Sequence, residues 1–173
     1  MRSIVTLSLA AIGSAACAPA PAQVATSGYQ LPLDLAVEAV MESIRTCAAH
    51  GYPVSAAVVD TSGLVKLEAK GDHSTVHTRE TSFRKAYAVV TLGPIFKFDT
   101  TSAFAEIAAK SPAGLALSSL ANILPLGGGV AIKRGDEIVA ALGVGGSPGG
   151  DKDEACAQAG VAKIAARVGP VHN

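Results

Sequence analysis

Two pairs of short strand-like runs, each folded back by a tight turn, constrain this chain more than any other feature. Val54 to Asp60 and Leu64 to Lys70 flank Asp60-Thr61-Ser62-Gly63, whose Asp and Gly are residues that tight turns select. Gly128 to Lys133 and Glu137 to Val144 flank Arg134-Gly135-Asp136 in the same way. Runs with a helical period fill the spaces between the hairpins. From about Leu33 to Ala49, the residues Val37, Val40, Met41, Ile44, Cys47 and Ala48 recur at helical spacing, and Gly51 follows as a helix stop. Phe83, Ala86, Tyr87 and Val90 mark one face of a second helix over 78–92, with Gly93-Pro94 as its expected end. A third helix is expected from about Ser102 to Lys110, capped by Asp99, Thr100 or Thr101, and Ser111-Pro112 closes it. A small-residue connector containing Leu115 to Leu120 leads to the second hairpin, and a last helix runs from about Asp151 to Val168. The order helix, hairpin, two helices, hairpin, helix contains no repeated βαβ unit. The expected class is therefore α+β, with an antiparallel sheet flanked by helices.

The ends and the charge balance set the setting. Met1-Arg2-Ser3, an apolar run from Ile4 to Ile12 and small residues ending in Ala18-Pro19-Ala20-Pro21-Ala22-Gln23 have the three-part layout of a secretory signal peptide over 1–22, cut after Ala22 or after Ala20. Export to the periplasm or the exterior is the expectation. Ser14-Ala15-Ala16-Cys17 offers a lipoprotein alternative, against which Ser14 stands where a large aliphatic is usual. Residues 23–31 read as a flexible arm and 32–170 as one domain. Lys plus Arg number 14 and Asp plus Glu number 14, with no basic run, which argues against a nucleic-acid partner. No later stretch of eighteen apolar residues predicts a membrane span. Of the three cysteines, Cys47 and Cys156 remain after processing, each on a core-facing side of a terminal helix. A disulfide between them and two separate buried thiols are both open.

Candidate ligand residues gather at two places. Gly143-Val144-Gly145-Gly146-Ser147-Pro148-Gly149-Gly150-Asp151 lies between a strand and a helix, where backbone amides can hold a carboxylate or phosphate. Tight turns and close backbone approach account for the same glycines equally well. Pro148 in the third glycine's place excludes the dinucleotide fingerprint, and Gly127-Gly128-Gly129 is followed by no Gly-Lys-Ser/Thr. His73 and His77 flank the start of the second helix, and a neutral imidazole is a good ligand for haem iron. Arg79, Arg84 and Lys85 nearby could neutralise an acidic cofactor's carboxylates. His77 ranks ahead of His73 as the metal ligand, because the first turn of a helix beside a glycine-rich loop makes a pocket wall. His50 and His172 read as structural or idle. No nucleophile elbow and no zinc-ligand spacing occurs, so the chain reads as a binding protein more than as an enzyme.

Several segments together resemble the GlcG/HbpS-like haem-binding family. They are Gly51-Tyr52-Pro53-Val54-Ser55 leading to Val58-Val59-Asp60 and Gly63; His77-Thr78 with Arg84-Lys85-Ala86; Pro125 to Gly129; and Ile138 to Gly149 continuing into Asp153-Glu154-Ala155-Cys156-Ala157. Together they cover roughly residues 33–168. The resemblance implies a profilin-like α+β fold with a central antiparallel sheet of about five strands. It also implies a homo-oligomer, often an octamer, and haem or another tetrapyrrole as ligand. By position, His77, Thr78, Arg84 and Lys85 lie in the segment that approaches the ligand, and Gly145, Gly146 and Ser147 form the facing loop. One segment departs: where many members carry Arg-x-Asp-Gly-Ala after the second strand, this chain has Lys70-Gly71-Asp72-His73-Ser74. A small carboxylate held by the glycine loop and a ligand-free structural oligomer are the competing expectations.

Overall fold

The structure, a computed structural model, describes residue 24 and residues 26–169. The signal segment, Cys17, both cleavage positions and His172 lie outside the described residues. The elements are α1 (Leu33–Ala49), β1 (Ser55–Asp60), β2 (Val65–Lys70), α2 (Thr78–Phe96), α3 (Thr101–Ala109), α4 (Pro112–Ser118), β3 (Gly129–Arg134), β4 (Glu137–Gly145) and α5 (Gly150–Val168). The two hairpins join in one antiparallel sheet in the order β2-β1-β4-β3. Period-2 alternation sends Ala56, Val58, Ala140, Leu142 and Val144 into the core under α1 and α5. Val59, Ala131 and Ala141 face the opposite core, under α2 and α3. The sheet is thus buried on both faces.

Among the described residues the strands number four, not about five. Only a single bridge, Thr100 to Val130, with the Ala131 amide donating to the Asp99 carbonyl, extends the sheet beyond β3. The connector after α3 forms no strand: Pro112 opens α4 with its ring pre-set for helix, and the Ser111 hydroxyl accepts from the Ala113 amide. Helix α2 also outruns its expected end, passing through Gly93-Pro94 to Phe96 before Lys97 turns left-handed at φ 58°. Pro94 sits in the last turn, where its missing amide costs one hydrogen bond instead of dividing the helix. Thr100 caps α3 through its hydroxyl, which accepts from the Ala103 amide at 3.2 Å. Within the segment read as an arm, Leu31 is buried, the Ser27 amide donates to Glu137, and the Arg134 guanidinium lies over the Tyr29 ring.

Two close contacts hold the layers. Helix α2 lies so near β4 that a methyl group on Gly143 would run into the Ser82 carbonyl. On the other face Cys47 of α1 and Cys156 of α5 form a disulfide, with Cα atoms 5.6 Å apart and a sequence separation of 109. Closing so long a loop restricts the unfolded chain and is worth about 4 kcal/mol. Chemical denaturation should therefore show the Cys47→Ala/Cys156→Ala protein less stable by about 4 kcal/mol. Gly143→Ala should cost about 2 kcal/mol through overpacking. An unchanged midpoint in either protein would contradict the corresponding contact.

Candidate functional site

The sheet register brings the candidate segments to one end of the fold. Ser55, the first residue of β1, pairs with Lys70 at the end of β2 and with Gly145 at the end of β4. The 71–77 loop, the Gly51-Tyr52-Pro53 connector and the 146–149 loop all leave the sheet there. Ser55 is their hub: its buried hydroxyl lies 2.7 Å from Thr78 Oγ1 and 3.4 Å from Ser74 Oγ. Gly146, at φ 136°, packs against Pro53 and Thr78. Thr78 is fully buried, and its hydroxyl also donates to the Thr75 carbonyl. It positions the loop and is closed to a ligand.

The expected cations are engaged elsewhere. Lys85 is 1% exposed, its ammonium donating to Asp153 Oδ2 at 2.6 Å and to the Val144 carbonyl at 2.9 Å. Burial pushes its pKa below the ordinary lysine range, and Asp153 pulls the other way. Arg84 donates to the Ile123 carbonyl and pairs with Glu80, while Arg79 pairs with Glu68 at 2.7 Å. The glycine loop has likewise found an anion within the chain. Asp153 Oδ1 accepts from the Ser147 amide at 2.9 Å, and Ser147 Oγ donates to the Gly149 carbonyl. Glu154 accepts from the amides of Gly128 and Ser102. Gly145 is buried as the last residue of β4, against Thr81 of α2.

The two histidines part company. His77 is exposed immediately before α2, with Nδ1 3.2 Å from the Thr75 hydroxyl. His73 has a left-handed backbone, φ 63°, and stands on the wall of a cleft of about 410 Å³. Ile44 and Ala48 of α1, then Tyr52, Pro53 and Val54, supply its apolar lining, and Gly71, Asp72 and His73 complete it. His77 is not among the lining residues. The Tyr52 ring stacks on His50, and Lys152 of α5 lies with Nζ 5.3 Å from the Tyr52 ring centroid. Among the described residues no three His, Cys, Asp or Glu side chains group as metal ligands.

Sequence reasoning missed Tyr52, Lys152 and the part played by Ile44 and Ala48. A signal was present for the last two. Helix α1 carries two apolar rows: Ala36, Val40 and Cys47, which are buried, and Val37, Met41, Ile44 and Ala48 beside them, which are not. One helix face packing on one sheet needs a single row, so the second row marks surface left for something else. Nothing in the sequence pairs Lys152 with Tyr52, since that contact depends on how α5 docks.

The family model for haem-degrading HbpS-like proteins matches residues 31–162. The crystal structure of HbpS is similar with a TM-score of 0.72 and 31% identity, over 84% of this chain and 97% of that one. A double mutant of Streptomyces reticuli HbpS is similar at 0.72 and 32%, over 85% and 97%. A complex of PduOC with haem has the same fold, with a TM-score of 0.69 and 19% identity over 79% and 96%. No curated protein sequence matches the chain.

The Lys85–Asp153 pair gives a direct test of how this end is held. Removing one partner leaves the other charged and buried, so Asp153→Asn or Lys85→Met should each cost about 3–5 kcal/mol. Removing both as Lys85→Met/Asp153→Leu should cost much less than the sum of the two single changes. Additive losses in a denaturation double-mutant cycle would contradict the coupling.

Proposed function

The chain belongs to the HbpS-like family, and on that premise we propose that it binds haem in the cleft beside α1, with His73 as the protein ligand to the iron. The cleft suits such a group: apolar side chains line it for a flat macrocycle, and an imidazole stands on its wall. Bound haem would supply a redox-active iron. The chain's own residues would exclude water from its faces, present the ring nitrogen and orient the acidic edge.

One observation carries the choice of His73. The residue occupies a left-handed conformation that suits glycine, at the position where the resembling pattern has glycine. A side chain kept at a strained position points to use of that side chain. His77 is the competing ligand. The Thr75 hydroxyl beside its Nδ1 would fix the ring's orientation, but His77, exposed like His73, lies off the cleft wall.

The same reading takes in export after processing near Ala22, haem scavenging or sensing with slow redox activity, and assembly as a homo-oligomer, an octamer being the number the resemblance implies. The disulfide supports export, because oxidising compartments preserve such bonds. Exposed Val76, at 94%, with Leu64 and Leu115, supports assembly. Among the described residues no helix is long and apolar enough to cross a membrane.

Absorbance titration of the protein with haem should give a saturable Soret shift, retained in His77→Ala and at least tenfold weaker in His73→Ala. Replacing the same residue by glycine, His73→Gly, should lose haem in the same way while raising fold stability by up to about 1 kcal/mol through relief of the left-handed backbone. A wild type without saturable binding would end the haem reading. A loss that follows His77→Ala instead would move the ligand to His77.

A further inference from the structure

A tetrapyrrole carries carboxylates, and the three cations that follow His77 in sequence are already committed. Lys85 is buried against Asp153, Arg79 is paired with Glu68, and Arg84 is held by the Ile123 carbonyl and Glu80. Lys152 differs from all three. It is half-buried, and among the described residues it takes part in no ion pair. Its ammonium lies against the ring of Tyr52, a residue of the cleft wall. A ring face holds an ammonium less firmly than a carboxylate does, so the cation stays available to a stronger partner.

The position of Lys152 is fixed from two sides. The next residue in sequence, Asp153, is tied to Lys85 and to the Ser147 amide. Four residues further along the same helix, Cys156 is bonded to Cys47 of α1. The helix therefore cannot swing Lys152 away from Tyr52 without breaking a buried ion pair or a covalent bond. Lys152 itself stands behind Tyr52 and not among the lining residues, where the charged carboxylate is Asp72, on the 71–73 side. Like charges repel, so an acidic ligand would turn its carboxylate away from Asp72 and toward the Tyr52 side.

We propose that Lys152 receives a carboxylate of the bound ligand and makes the cleft selective for flat apolar rings that bear an acidic edge. The proposal rests on the haem reading and adds to it a specificity residue from α5. The test compares haem with haem dimethyl ester, whose carboxylates are masked, on the full-length protein with its disulfide intact.

Wild type should bind haem at least tenfold more tightly than the ester. Lys152→Met should remove that preference by weakening haem alone, Lys152→Arg should restore it, and Lys163→Met, an exposed charge change on the same helix, should leave it unchanged. Equal weakening of both ligands in Lys152→Met, or no change in either, would overturn the role of Lys152 while the haem reading stands. Failure of the wild type to bind either ligand saturably would overturn both.

Discussion

The buried pair of Lys85 and Asp153 is the interaction on which the functional end of this fold depends. Helices α2 and α5 lie on opposite faces of the sheet, and a lysine from one reaches a carboxylate of the other past the end of β3. The passage exists because Gly128 has no side chain: a methyl group there would lie 2.8 Å from Lys85 Nζ and 2.8 Å from the Asp153 Cβ. Desolvating two charges is costly, and here the cost is offset by close geometry and further hydrogen bonds to the Val144 carbonyl and the Ser147 amide. Those added bonds also determine the shape of the 146–149 loop. The glycine loop that reads in the sequence as an anion site is closed by the chain's own anion.

The cleft follows from that arrangement. With the start of α5 held by Asp153 and its second turn held by Cys156, Lys152 is set beside Tyr52, while the apolar row of Ile44 and Ala48 forms the wall behind. Opposite them the Ser55, Ser74 and Thr78 hydroxyls anchor the loop that carries His73. The machinery is therefore mostly support: a few buried polar groups fix two loops, and the exposed residues between them are left to meet a ligand. This division explains why Thr78, Lys85 and Arg84, though close in sequence to the histidines, are turned to the interior or to neighbouring backbone.

Helix α1 was legible to the residue, and both hairpins nearly so, because their signals are local: a 3.6-residue apolar period, or two strand-like runs about an Asp- or Gly-bearing turn. The end of α2 was not, because a proline in a last turn and a proline that breaks a helix look alike until the next residues are placed. Nor was α4, whose small residues carry little period. At the site, the two histidines could be found from residue type, but their ranking turned on backbone geometry. A left-handed φ at His73 and its place on the cleft wall have no signature in composition. Lys85 illustrates the general difficulty, since in sequence it reads as a cation for a cofactor's carboxylates, and its burial depends on a partner 68 residues away.

The chain belongs to the HbpS-like family, and in the function proposed for it the cleft takes the ligand, with His73, Tyr52 and Lys152 setting its orientation. The most direct test is a crystal structure of the protein loaded with haem. The account predicts the macrocycle between α1 and the 71–73 loop, with iron on His73 Nε2 or Nδ1 and a propionate toward Lys152. Haem found on the open surface at His77, or at the 145–147 loop with the cleft empty, would contradict it.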